Sequence, residues 1–477
     1  MLGIARKVLK RTILQAISTW HQRRIRERGG DVDGLSIANW DMAINEQGHL
    51  LIQGCDVTSL VDEYASPLYV IDKQRLKKNY TSFLKGFLNH YPHVEIGYSY
   101  KTNPLPGVIS ALHEFGASAE VISHFELWLA LRLGVVPEQI IFNGPGKTPQ
   151  ALELAVSQRV KIINIDGPAE IDIISGLAKK YAHMQPVGVR VVTSVGWSSQ
   201  FGLSIADGAA YQAFQQLCKV SHVDPCGLHI HLGTGIRNIQ TYLQAIREGL
   251  EFARLLKKNL GIEIRYFDFG GGFGVPTVRE FSELDVRLRA NGFPVRPMDT
   301  SSCPRIEDYA RGIAGLMHEY YAAEDAPQLI FEPGRAISSS AQSLLLQVLT
   351  TKPAAGGFTN VILNGGKNIT MPLGYEYHEV FAANRMQEPR SENYNVFGPL
   401  CHPGDVLFKQ KKLPRLIPGD ILAIMDAGAY FVPNQMNFSN PRPAAVMLHQ
   451  GRHELIRDRE TFENVVGLDR LLPVSSR

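Results

Sequence analysis

Apolar and polar positions give the chain three textures. From Arg75 to Phe331, short apolar runs alternate with longer segments whose apolar residues recur at helical spacing. The runs at 94–100, 119–122, 139–142, 161–165, 187–191, 227–231, 266–269 and 328–331 read as strands, preceded by a further run at 67–71. Between them, 75–89, 108–115, 126–133, 149–158, 169–181, 206–220, 239–256 and 306–321 read as helices. Repeated βα units specify a parallel sheet, and about eight suit an α/β fold of the (β/α)8, TIM-like kind. An open doubly wound sheet is the rival. Polar motifs recur where many different strands end, which favours the barrel.

Beyond Ser340 short strands are separated by Pro- and Gly-rich turns, with few helical stretches, as in a β-rich domain. Residues 37–52 also read as short strands around a turn at 46–48, outside the βα rhythm, and are expected to join that domain. Residues 1–34 differ again: Arg6, Lys7, Lys10, Arg11, Arg23, Arg24, Arg26 and Arg28 face one acid, Glu27. Ile4, Val8, Leu9, Ile13, Ile17 and Trp20 recur at roughly helical spacing, giving a basic amphipathic helix ended by Gly29-Gly30. A docking or partly disordered extension is expected first, with contact with an anionic membrane surface or an organelle-targeting role as the alternatives. The expected organisation is 1–34 extension, 35–66 strands packing with the β domain, 67–340 barrel and 341–477 C-terminal β-rich domain.

At 477 residues two domains are expected, and 44% hydrophobic with 20% charged residues is ordinary for a globular protein. A formal net charge of +3 argues against nucleic acid as a partner. Cys55, Cys218, Cys226, Cys303 and Cys401 have neither metal-site nor redox-motif spacing, which fits a reducing cytoplasm. No apolar run is long enough to span a bilayer.

Candidate chemistry begins at Lys101, delivered by the run 94–100 and followed by Pro104. An amine at a buried strand end is less readily protonated and can attack a carbonyl carbon; the alternative is a snorkelling surface lysine. His229-Ile230-His231 points two rings to one side of a strand, without the further regular ligands a metal site needs. Gly270-Gly271-Gly272 with Gly274 can bring backbone N–H groups round an anion, but is not the dinucleotide fingerprint. Glu332-Pro333-Gly334-Arg335 sets a carboxylate and a guanidinium at another strand end. Gly398-Pro399-Leu400-Cys401-His402 and Asp426-Ala427-Gly428-Ala429-Tyr430 follow. Together a lysine for an aldehyde, N–H groups for a phosphate, a carboxylate for a ring nitrogen and an imidazole for the ring face describe pyridoxal 5'-phosphate (PLP).

On these motifs the chain, from Ile37 onward, resembles the fold-type III PLP-dependent decarboxylases (ornithine, diaminopimelate and arginine decarboxylases), diaminopimelate decarboxylases above all. The resemblance implies an alanine-racemase-like barrel and an amino-acid decarboxylase releasing CO₂. It further implies that Lys101 holds PLP as a Schiff base, His231 stacks on its ring and Glu332 pairs with its ring nitrogen. Gly270, Gly271, Gly272, Thr234 and Tyr430 would contact the phosphate, and Arg335 the phosphate or the substrate carboxylate. Cys401 would donate the proton replacing CO₂ across a homodimer interface, with His402 and Tyr430 near the substrate.

Two positions depart from that pattern. The residue after the cysteine, an acid in the family, is His402, which cannot replace a carboxylate facing an ammonium. Met371 stands roughly where the family has an arginine, with Lys367 as the nearest substitute. An amino acid other than the standard diamine type, including a conjugate or carrier-linked one, is therefore expected. Authentic diaminopimelate decarboxylation, racemisation and a non-catalytic binding role are the alternatives; the presence of both Lys101 and Cys401 argues against the last.

Overall fold

The computed structural model describes residues 2–27 and 34–470. The expected helix stop at Gly29-Gly30 lies outside the described residues. The chain forms two compact units, one comprising 75–279 with 299–339, the other 1–74, 280–298 and 340–477.

The first unit is a closed parallel barrel of eight strands: β1 (Val94–Ser99), β2 (Ser118–Val121), β3 (Ile140–Phe142), β4 (Ile162–Ile165), β5 (Gln185–Val192), β6 (Val223–His229), β7 (Tyr266–Asp268) and β8 (Gln328–Phe331). Neighbours pair in chain order, and β8 returns to β1 with Phe331 opposite Ile96. Strands such as Ile140-Ile141-Phe142 carry no polar face because helices cover one side and the barrel core fills the other. Ile141, Ile162, Cys226 and Ile330 meet in that core. Caps set the helices between strands. Ser123 is the N-cap of the helix His124–Arg132 and accepts from the Glu126 N–H at 3.2 Å, while the Glu126 carboxylate accepts from the Ile122 N–H at 2.8 Å.

In the second unit the long strand Gln342–Ala354 pairs with Phe358–Leu363, Ile421–Ile424 and Leu68–Asp72, and Ala444–His449 lies parallel to Leu68–Asp72. The run expected to enter the barrel at 67 thus belongs to this sheet instead, with Ile71 opposite Gln342 and Leu68 opposite Ala444. Its Leu-Tyr-Val-Ile sequence is apolar on both faces, as a barrel strand would be; only its distant partners decide where it pairs. Trp40, Leu50 and Ile52 share one apolar cluster with Leu345, Ala423 and Val446, and the Trp40 indole N–H donates to Asp426 Oδ2 at 3.0 Å. Residues 280–298, between β7 and β8 in sequence, also belong to this unit and contain the helix Glu283–Ala290. Among the described residues no helix is long and apolar enough to cross a membrane.

Candidate active site

Every barrel strand carries a polar side chain at or within two residues of its C-terminal end. In order they are Lys101, Glu120, Asn143, Asn164, Arg190, His229, Asp268 and Glu332, all buried except the partly exposed Lys101. A parallel barrel points these strand ends to one rim, so eight distant positions converge. Lys101 Nζ lies 3.4 Å from Glu120 Oε2. Glu120 also accepts from Ser99 Oγ at 2.5 Å and Asn143 Nδ2 at 3.0 Å. The same Asn143 amide donates to Glu332, and Asn164 Nδ2 donates to Asn143 Oδ1 at 2.8 Å. Two buried carboxylates are thereby bridged by one amide.

Glu332 faces His229 Nε2 at 3.5 Å and His231 Nδ1 at 3.6 Å. Burial works to raise its pKa, but the two imidazoles and the Lys101 ammonium outweigh that and hold the carboxyl well below the usual range. Burial pushes both imidazoles below their ordinary value, His229 to about 3. Asp268 goes the other way: burial and the Glu332 charge push its carboxyl well above the ordinary value. Glu126, next to this group, is raised to about 7 by burial and the Glu120 charge.

The donor atoms of His229, His231 and Glu332 lie within 4.8 Å of one another. The sequence spacing gave no hint of this third donor, since Glu332 comes from a different strand.

The glycines after β7 are required by close packing. A Cβ at Gly271 would overlap the Glu332 carbonyl oxygen, and one at Gly270 would stand 2.6 Å from His231 Nδ1, at a φ of +63°. Thr234 lies beside this loop, its Cα 3.5 Å from a Cβ built at Gly272. The Gly271 N–H donates to His231 Nδ1 at 3.3 Å and the Tyr242 hydroxyl donates to the Gly271 carbonyl at 2.6 Å, fixing the loop. Arg335 is buried and opens the short helix Arg335–Ser338. The barrel thus gathers Lys101, His231, Thr234, Gly270, Gly271, Gly272, Glu332 and Arg335 at the ends of β1, β6, β7 and β8. Glu120, Asn143 and Asn164 were not singled out by the sequence. Their only signal is a lone polar residue at the end of, or within, each apolar run.

Cys401, His402 and Tyr430 belong to the other unit. Cys401 is a free, exposed cysteine. His402, also exposed, accepts at Nδ1 from the Gly404 N–H at 3.0 Å, and its ring is edge-on to Phe438 with centroids 6.4 Å apart. Tyr430 has a φ of 65° and its carbonyl accepts from Asn434 Nδ2 at 2.9 Å.

An amine and a glycine loop at one barrel rim, with one anionic carboxylate held among imidazoles, suit an aldehyde cofactor bearing a basic ring and a phosphate. The side-chain-free Gly270–Gly272 loop fits the close backbone approach such a group needs. Residues 76–339 match the pyridoxal binding domain of the pyridoxal-dependent decarboxylases. The chain belongs to that family: it is a PLP-dependent carboxy-lyase acting on an amino acid. It is 31% identical over 447 residues to the diaminopimelate decarboxylase of Methanothermobacter thermautotrophicus, covering 89% of this chain and 96% of that protein. It is 28% identical over 439 residues to that of Bacillus subtilis, covering 89% and 96%. Among solved structures, diaminopimelate decarboxylase from M. jannaschii in co-complex with L-lysine superposes with a TM-score of 0.80 at 27% identity, over 91% of this chain and 98% of that one.

Proposed function

We propose that this enzyme decarboxylates an amino acid whose distal group is neutral or anionic, rather than the ammonium-bearing end of diaminopimelate. The observation that carries the reaction is the Glu332 carboxylate, buried and held anionic among His229, His231 and the Lys101 amine. PLP, when bound, supplies an electron sink for the pair left on the α-carbon after CO₂ departs. Lys101 would hold the cofactor through Nζ, with Glu120 and Ser99 fixing the direction from which the amine presents. Glu332 would place its negative charge at the ring nitrogen, and the Asn143 amide keeps that carboxylate from turning away. His231 would lie against the ring, and the Gly270–Gly272 N–H groups with Thr234, Arg335 and Tyr430 would take the phosphate or the substrate carboxylate. Cys401, exposed in a loop, would be contributed by a second copy of the chain in a homodimer and deliver the proton that replaces CO₂. The five free cysteines suit a reducing, cytoplasmic setting.

The distal-group reading rests on His402. Its Nδ1 accepts from Gly404, so its other nitrogen is left to donate, and a donor repels an ammonium. Lys367, whose amine burial and Arg289 depress to about 8, supports a neutral or anionic partner. The diaminopimelate decarboxylase relatives favour the second reading, that diaminopimelate itself is the substrate. CO₂ release from a panel of amino acids separates the two. Turnover of substrates with acidic or neutral ends, and none of meso-diaminopimelate, is expected. Rapid turnover of meso-diaminopimelate would overturn the substrate assignment.

A further inference from the structure

The N-terminal helix Leu2–Glu27 has two sides in different surroundings. Leu14 is buried, and Ile17, Ser18, His21 and Gln22 are half-buried, at spacings of three and four that place them on one side. Gln22 lines a cavity of about 290 Å³ with Phe281, Val295 and Phe408 of the same unit, so this side faces the body of that unit. A different side carries Leu9, Ile13 and Trp20, four and seven residues apart, which are 61%, 51% and 52% exposed. Three large apolar side chains aligned in water form a stripe rather than scattered exposure. Arg23 and Arg24 flank it, and the Arg24 guanidinium lies 5.1 Å from the Trp20 ring centroid. Residues 1–28 carry eight Lys or Arg against the single acid Glu27.

We propose that this stripe seats the enzyme on an anionic bilayer surface, with the helix lying in the interface plane. Leu9, Ile13 and Trp20 would enter the boundary between headgroups and acyl chains, while the flanking cations meet lipid phosphates. A second copy of the chain is disfavoured as occupant, because pairing two such helices opposes eight cations to eight. A nucleic acid would use the cations and leave the apolar stripe and the indole in water. Only a surface that is negative outside and apolar just beneath takes both features.

The test is co-sedimentation of the full-length holoenzyme with phosphatidylcholine vesicles, with and without about one-third phosphatidylserine, at low and high salt. The wild type is expected to pellet with the anionic vesicles, to stay in the supernatant with neutral ones, and to be released by salt. The triple variant Leu9→Glu, Ile13→Glu, Trp20→Glu should lose binding at least about tenfold, while Arg23→Glu, Arg24→Glu should lose it with Leu9, Ile13 and Trp20 all retained. Circular dichroism and bound-cofactor absorbance verify that both variants fold. Failure of the wild type to pellet, binding indifferent to lipid charge, or triple-variant binding equal to wild type would overturn the proposal. So would a triple variant whose only change is a smaller mass in solution, which would assign the stripe to a second copy.

Discussion

His229 Nε2 lies 3.5 Å from Glu332 Oε1, both side chains almost fully buried, while His231 Nδ1 stands 3.6 Å from the other carboxylate oxygen. One carboxylate thus has an imidazole at each oxygen, an amide from Asn143 on one of them and the Asp268 carboxyl, its pKa pushed well up by burial and the Glu332 charge, alongside. This surround keeps a negative charge where water cannot screen it. Glu332→Gln keeps the shape and removes the charge. Turnover should fall on the order of 10²–10³-fold while bound PLP stays within about twofold, as for loss of one preorganised electrostatic group. Steady-state CO₂ release with cofactor quantified by absorbance measures both, and unaltered turnover would exclude Glu332 from this role.

Burial holds His229 at about 3, against an ordinary value of 6.5. Between those values the unfolded chain binds a proton that the folded barrel refuses. Stability from this residue is therefore intact above about pH 6.5 and declines by about 1.4 kcal/mol per pH unit as pH falls toward 3. His229→Gln, which does not titrate, should make the stability slope between about pH 6 and pH 4 shallower by one proton, read from urea unfolding at several pH values. Parallel slopes in the two proteins would contradict the assignment.

The motifs at Lys101, His229–His231, Gly270–Gly272 and Glu332–Arg335 were legible because each clusters unusual residues within a few positions. Glu120, Asn143 and Asn164 were not, since each is one ordinary polar residue within or just after a mainly apolar strand, and nothing local says that β2, β3 and β4 turn these groups to one rim. The βα rhythm gave the barrel, but the strand Leu68–Asp72 fits the same rhythm and pairs elsewhere, with residues 342–345 and 444–448. Local pattern reports how a strand is buried; pairing over hundreds of residues reports with what. The helix Glu283–Ala290, mean in apolar residues and carrying Arg287 and Arg289, left no clear periodic signal.

The Asn143 amide is shared by Glu120 and Glu332. Asn143→Asp places a further carboxylate between two buried ones and should destabilise the barrel by about 3–5 kcal/mol. Asn143→Ala removes one donor from each carboxylate and the acceptor of the buried Asn164 amide, and should cost about 1–3 kcal/mol. Chemical denaturation of both variants checks the order, and an Asp variant as stable as the Ala variant would contradict it.

Gly271 has backbone, not a flexible side chain, where a Cβ would go. Gly271→Ala should therefore shift the Gly270–Gly272 loop and weaken PLP retention by more than about tenfold, a displacement worth about 1.4 kcal/mol or more. Gly146→Ala is the control, because a Cβ there meets nothing within 4 Å. Dialysis against a cofactor trap followed by absorbance compares them, and equal retention would show that the loop tolerates a side chain.

Which amine carries the cofactor decides the role of Lys101. Borohydride reduction of the holoenzyme, proteolysis and mass spectrometry should locate one reduced pyridoxyl phosphate on Lys101 Nζ, and the same treatment of Lys101→Ala should find none at any other lysine. A pyridoxyl adduct on a different lysine in the wild type, or an equally labelled alanine variant, would contradict it.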